Sequence, residues 1–332
     1  MLRVGLLGAG RIAGVHATSI VRNRDSDLVA VSDVVGTAAE ALAEQHRCAV
    51  CTSQEIIEDP AIDAVLIATS TDTHADFIEA AVAAGKAVLC EKPVDLSLDR
   101  ARACLNAVQA SGQPVMIGLN RRFDKSFAAM RAALTAGDIG APELLSITSF
   151  DPAPPPIAYI KVSGGLFRDM MIHDFDMSHF LMGTVPDSIS ATASSLVDPE
   201  IGAAGDVDTA VVTMHYADGR IAVIKNSRRA SFGYDQRVEV LGSKGHLQVQ
   251  NVTENTLVSS TEAGVTVAKP VHFFLERYMD AYAAEWNAFV TALQSDAPMP
   301  VTLEDGVTAL AMAEAAARSQ NEKRPVKLVE VL

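Results

Sequence analysis

The first third of the chain alternates short apolar runs with longer stretches of mixed apolar and polar residues. Leu2-Arg3-Val4-Gly5-Leu6-Leu7 predicts a buried strand, broken at Gly8-Ala9-Gly10, and residues 11–23 can then form a helix. Apolar runs at 28–32, 64–68, 87–90 and 115–118 predict further strands, with helices over 37–46, 73–84 and 97–110 between them. Gly85 and Gly112 stand where a helix end turns left-handed. Strands that are apolar throughout and alternate with helices specify a parallel sheet covered on both faces. Residues 1–121 are therefore expected to be an α/β domain with a doubly wound sheet.

The pattern changes after about residue 121. A helix is predicted over 124–136, an alternating strand over 144–150, and a loop at the proline run Asp151-Pro-Ala-Pro-Pro-Pro156, which cannot sit inside a sheet. Residues 165–182 predict one continuous helix. Strand-like stretches follow at 208–216, 221–226 and 236–241, with hairpin signals at Asp218-Gly219 and Ser243-Lys244-Gly245. Helices at about 274–294 and 303–319 close the chain. Residues 122–332 are expected to form an α+β domain on a large, mostly antiparallel open sheet.

Composition agrees with two domains: 332 residues at roughly 150 per domain. Hydrophobic residues at 49% exclude a disordered chain, and aromatics at 5% require an aliphatic core. The 27 basic and 41 acidic residues give a net charge of −14, which disfavours nucleic acid and anionic membrane surfaces as partners. No apolar run reaches the roughly 18–20 residues that span a bilayer, and no basic, apolar leader opens the chain, so a cytoplasmic protein is expected. Cys48 and Cys51 form a lone C-x-x-C in a strand-like stretch. A redox pair usually opens a helix and a zinc site needs a second ligand pair, so this pair is expected to be structural or incidental.

The break after the first strand carries chemistry. Gly8-Ala9-Gly10-Arg11-Ile12-Ala13 matches G-x-G-x-x-G/A between a strand and a helix. Gly8 permits the tight turn, Gly10 lets a pyrophosphate approach the backbone, and the helix N-terminus offers N–H groups and a positive dipole. The second strand ends in Asp33, where a carboxylate accepts hydrogen bonds from ribose hydroxyls. Val34, Val35 and Gly36 follow it, and none can hold a 2′-phosphate. The expectation is a Rossmann domain that binds NAD in preference to NADP.

Lys92, in Glu91-Lys92-Pro93, directly follows a predicted strand, at the edge of the sheet where doubly wound folds bind ligands. Asp169 and His173 are four apart in the predicted helix and share one face. A carboxylate beside an imidazole orients the ring and raises its affinity for a proton. Gly164-Gly165 would let a ligand approach the start of that helix. A metal site at His173, Asp176 and His179 is disfavoured, because the two histidines diverge by about 240° around a helix, and no metal is expected.

These motifs, with Asn120-Arg121-Arg122-Phe123-Asp124 and the stretch Ser163 to Asp176, resemble the Gfo/Idh/MocA oxidoreductase family. The resemblance covers nearly the whole chain and lies closest to its inositol-oxidising branch. It implies NAD-dependent oxidation of a cyclic polyol, with Lys92, Asp169 and His173 as the catalytic Lys, Asp and His. It implies substrate contacts from Arg122, Tyr234 and Asp151. Arg11 and Ile12 would pack along the pyrophosphate, and Thr69, Ser70, His74 and Glu91 would line the nicotinamide side. A homotetramer packed through the open sheet faces is also implied. Sibling dehydrogenases of another inositol isomer or a pyranose share the same triad. A non-catalytic NAD-sensing regulator need not keep Lys, Asp and His together.

Overall fold

The structure is a computed structural model describing residues 1–332. In the N-terminal part the elements are β1 (Leu2–Leu7), α1 (Arg11–Arg22), β2 (Ser26–Ser32), α2 (Gly36–His46), β3 (Ala49–Val50), α3 (Ser53–Glu58), β4 (Ala64–Ile67), α4 (His74–Ala83), β5 (Ala87–Glu91), α5 (Leu98–Ser111) and β6 (Val115–Gly118). All strand pairs are parallel, in the order β3-β2-β1-β4-β5-β6. The order reverses between β1 and β4, which opens a crevice at their carboxyl ends. The Gly-rich turn leaves β1 at that point. Residues 4–7 of β1 and all of β4, β5 and β6 are buried, as unbroken Val, Leu, Ile and Ala runs require, while the two-residue edge strand β3 is exposed. The sequence reading missed α3, a one-turn helix started by a Thr52–Glu55 capping box.

The later elements are α6 (Lys125–Ala136), β7 (Pro142–Phe150), α7 (Ile157–Ser163), α8 (Ile172–Met182), β8 (Ser188–Ser194), α9 (Pro199–Ala203), β9 (Thr209–His215), β10 (Ile221–Ser227), β11 (Asp235–Gly242), β12 (Gly245–Val249), β13 (Val258–Thr261), β14 (Gly264–Val267), α10 (Phe274–Ser295), α11 (Leu303–Glu322) and β15 (Val326–Lys327). Seven strands form one sheet in the order β12-β11-β7-β10-β9-β8-β15, antiparallel except for the β10–β7 pair. Alternation along these strands separates two faces. Leu145, Ile147, Ala222, Ile224, Val212, Met214, Val238 and Val240 are buried on one, while Leu144, Ile221, Val211 and Leu241 are exposed on the other.

The continuous helix expected over 165–182 is broken. Leu166–Met170 is a π turn, closed by the bond from the Met171 N–H to the Leu166 carbonyl at 2.9 Å, and the α-helix proper begins at Ile172. The proline run is a loop as expected, and a short helix, α7, follows it directly.

The chain divides into two compact units, Met1–Phe123 with Met279–Leu310, and Asp124–Tyr278 with Ala311–Leu332. The periodicity of the last two helices does not say which core they join. Trp286 of α10 is fully buried and its indole donates to the Ser26 hydroxyl at 2.9 Å, so this segment completes the core beside β2. No helix is long and apolar enough to cross a membrane.

Candidate active site

Within the first unit, Gly8 and Gly10 are glycines for different reasons. Gly8 has φ of 104°, and a Cβ there would lie 2.4 Å from the Ala68 carbonyl oxygen. Its conformation and the close approach of the chain after β4 both exclude a side chain. Gly10 has an ordinary φ of −75°, and a Cβ would meet nothing within 4 Å. Neither backbone nor packing demands glycine there, so clearance for a bound group remains as its physical use. The Gly10 carbonyl accepts the Gly14 N–H at 3.1 Å, opening α1 directly behind the turn. Asp33 closes the other side: its two oxygens accept the Ala9 N–H at 2.6 Å and the Val35 N–H at 2.7 Å. Each carboxylate oxygen keeps acceptor capacity for a ribose hydroxyl. Together the clearance at Gly10, the N-terminus of α1 and the acid at Asp33 fit a dinucleotide with an unphosphorylated 2′-hydroxyl. Arg11 is exposed and Ile12 half-buried at that N-terminus.

Thr69 and Ser70 follow β4 and are half-buried and exposed. His74 is buried, with Nδ1 2.8 Å from the Pro93 carbonyl oxygen and Nε2 3.1 Å from that of Thr69. It clips the chain after β4 to the chain after β5, so its influence on a ligand runs through those backbones. Glu91 is also buried. Its Oε1 stands 2.7 Å from His16 Nε2, and its Oε2 accepts the Lys92 N–H at 3.3 Å. A Cβ at Gly118 would sit 3.2 Å from the Glu91 side chain, so β6 leaves room for it. Glu91 thereby pins α1 to the end of β5, from which the half-buried Lys92 projects. Arg122 donates to Asp305 at 3.0 Å. Burial raises the Asp305 pKa, but Arg122 and the Thr302 N–H and hydroxyl outweigh it and hold the carboxyl below its ordinary value. One guanidinium nitrogen is thus engaged inside the first unit.

Deeper in the same unit, Glu285 of α10 is fully buried and neither carboxylate oxygen has a hydrogen-bond partner. Burial, and then the charge of Glu91, push its pKa well above the usual carboxylate range. Cys48 and Cys51 are free thiols, and burial pushes the Cys48 thiol up, which disfavours the reactive thiolate.

In the second unit the candidate residues gather at one end of the seven-stranded sheet. Phe150 of β7 pairs with Ser227 of β10 and with Asp235 of β11, which puts Asp151, Arg228 and Tyr234 just beyond adjacent strand ends. The Asp151 N–H bonds the Ser227 carbonyl at 2.9 Å. Tyr234 is buried, edge-on to Phe273 and Tyr278 at 6.4 and 6.0 Å between ring centres. Asp169, in the π turn, accepts the Tyr159 hydroxyl of α7 at 2.9 Å and faces Arg228 at 3.5 Å. His173 stands four residues on, in the first turn of α8, and both are half-buried. The wider turn still keeps residues four to five apart on one face, and single π turns inside helices recur at functional sites.

The Gly-Gly pair carries a correction. Gly165, at φ of 79°, faces Asp206 and not open space: a Cβ would lie 2.5 Å from Asp206 Oδ1, which accepts the Leu166 N–H at 3.0 Å. The approach that glycine permits is used by the chain's own carboxylate. Asp174 and Asp176 are buried, and Asp174 accepts the Asn226 amide at 2.8 Å. His16, Tyr159, Asp206, Arg228 and Glu285 escaped the sequence reading. His16, Asp206 and Arg228 lie 40 or more residues from their partners, Tyr159 reaches Asp169 from a separate helix, and Glu285 is buried without a hydrogen-bond partner, so no spacing rule connects them.

Comparison with known proteins agrees with this geometry. Residues 2–119 match the description "Oxidoreductase family, NAD-binding Rossmann fold", and residues 131–328 match "Oxidoreductase family, C-terminal alpha/beta domain" of the Gfo/Idh/MocA models. The chain belongs to the Gfo/Idh/MocA oxidoreductase family. Among its relatives, inositol 2-dehydrogenase of Rhizobium meliloti is 50% identical over 98% of this chain and 99% of its own. Myo-inositol 2-dehydrogenase of Thermotoga maritima is 45% identical over the full length of both chains. The crystal structure of scyllo-inositol dehydrogenase from Lactobacillus casei with NAD(H) and scyllo-inositol superposes with a TM-score of 0.92, at 27% identity, covering 99% of each chain. Membership assigns NAD as the cofactor of the first unit, in agreement with the turn at Gly8–Ala13 and with Asp33.

Proposed function

We propose that this family member is a myo-inositol 2-dehydrogenase, oxidising myo-inositol to 2-keto-myo-inositol (scyllo-inosose). One observation carries the reading: a half-buried imidazole, His173, stands one helical step from the charge-paired carboxylate Asp169, in a chain half identical throughout to an inositol 2-dehydrogenase. A neutral imidazole accepts the hydroxyl proton near neutral pH. Asp169 orients the ring and stabilises the imidazolium that forms. Lys92 donates a hydrogen bond, and brings its charge, to the substrate oxygen as alkoxide character develops. NAD, when bound, supplies the hydride acceptor. Arg122, Asp151 and Tyr234 contact ring hydroxyls. Gly8, Gly10, Arg11, Ile12 and Asp33 hold the cofactor, with Thr69, Ser70, His74 and Glu91 shaping its nicotinamide side.

The exposed apolar row Leu144, Ile221, Val211 and Leu241 supports assembly through the open sheet face into a homotetramer. The test of the activity is NAD reduction with a panel of inositol isomers and pyranoses. Highest kcat/KM with myo-inositol is expected. A higher value with scyllo-inositol or a pyranose would move the protein to the sibling activity, and NAD binding without turnover would make it a regulator. His173→Ala is expected to lower kcat by about 100-fold or more, the usual scale for losing a general base.

A further inference from the structure

Arg228 has no part in the chemistry above. It follows β10, and its side chain is 2% exposed. Its Nη2 stands 3.5 Å from Asp169 Oδ2 and 3.9 Å from Asp206 Oδ2. Neither Nε nor Nη2 has a hydrogen-bond partner, so towards these carboxylates the guanidinium acts through its charge. Asp206 is fixed from its other oxygen by the Leu166 N–H, at the start of the π turn. Asp169 is fixed from its other oxygen by the Tyr159 hydroxyl. Charges therefore alternate from Asp206 through Arg228 to Asp169, with His173 four residues beyond.

We infer that Arg228 and Asp206 are positioning residues, a buried charge ladder that sets how strongly Asp169 favours a proton on His173. The inference rests on His173 being the base. A carboxylate beside an imidazole favours the protonated ring, yet a base must be neutral to accept a proton. An unopposed carboxylate would favour the charged ring more strongly. The cation behind it subtracts from that pull, and Asp206 behind the cation returns part of it. Burial keeps Arg228 from the ionic screening that weakens exposed pairs. Tyr159 from α7 and Arg228 from the segment after β10 face Asp169, and His173 stands four residues on along its own helical run. Those facing Arg228 are Asp169 and Asp206, while neighbouring Arg168 is paired with Glu314 of α11.

The test is the pH profile of kcat/KM for the full chain with NAD and myo-inositol. Arg228→Gln removes the cation and is expected to move the acid limb to higher pH. Asp206→Asn keeps Oδ1 for the Leu166 N–H, leaves the cation unopposed, and is expected to move the limb to lower pH. Each shift is expected to be about half a pH unit or more, below the one to three that a directly adjacent charge produces. Arg228→Lys keeps the charge and should return the limb towards wild type. A purely structural role would lower activity without moving the limb in opposite directions. Limbs that stay in place, or move the same way in both variants, overturn the ladder. If Arg228→Gln fails to fold, Asp206→Asn decides: a limb that does not fall overturns the proposal. His173→Ala separates the two readings, because a loss of activity under about threefold removes His173 as the base, whatever the other variants do.

Discussion

At the residue scale, several side chains divide their work between holding the fold and serving a ligand. Asp33 supports the Gly-rich turn through Ala9, and in the proposed function it also receives the ribose. Asp33→Ser is expected to lower kcat/KM with NAD by roughly tenfold or more, the scale of one lost hydrogen bond to a charged group. It should also narrow the preference over NADP, read from steady-state kinetics with both cofactors. Glu285 offers a prediction about stability. Its folded pKa is raised by burial and then by Glu91. Its contribution is therefore fully present below the unfolded carboxylate value, near 4.3, and is lost as pH rises towards the folded one. Glu285→Gln removes that titration. The variant should gain in melting temperature relative to wild type as pH rises from about 5 towards 9. A constant difference across that range would mean Glu285 ionises as freely in the fold as out of it.

At the element scale, the junction of the π turn with α8 decides how the second unit presents its chemistry. The turn begins at Gly165 because only a glycine admits Asp206 there. Gly165→Ala combines a left-handed backbone with a contact of 2.5 Å to a carboxylate oxygen that bonds Leu166. It should destabilise by roughly 1–3 kcal/mol and reduce kcat beyond the stability loss, since Asp169 and His173 hang from that turn. Urea titration beside kinetics checks both, and unchanged kcat in a folded variant would detach the turn from the site. The sequence showed the apolar helix pattern on both sides of Met171 but not the extra residue in the turn. Hydrophobic periodicity changes too little over five residues to separate π from α geometry.

At the scale of the whole molecule, the −14 charge and the outer sheet face are the relevant quantities. An acidic protein that binds an anionic dinucleotide must do so locally, and the N-terminus of α1 supplies that local positive potential. The outer sheet face is where assembly is expected. Val211→Glu and Ile221→Glu together should shift the protein to a smaller species in sedimentation velocity, with each protomer still folded. An unchanged sedimentation coefficient would place the interface elsewhere.

The sequence by itself determined the doubly wound sheet, the turn at Gly8 and Gly10, the acid at Asp33 and the strand ends that carry Lys92. Those features are local: a short apolar run, a glycine, and a residue at a fixed offset specify them without reference to distant chain. It also specified the larger, mostly antiparallel sheet, because alternation and turn chemistry are local too. Only the tertiary structure decided that residues 279–310 join the first unit through Trp286, that Asp206 fills the space at Gly165, and that Arg228 stands behind Asp169. The partners in these contacts are 40 or more residues apart in the chain. Burial and charge pairing at that range depend on how sheets and helices pack, and no spacing along a single chain encodes them.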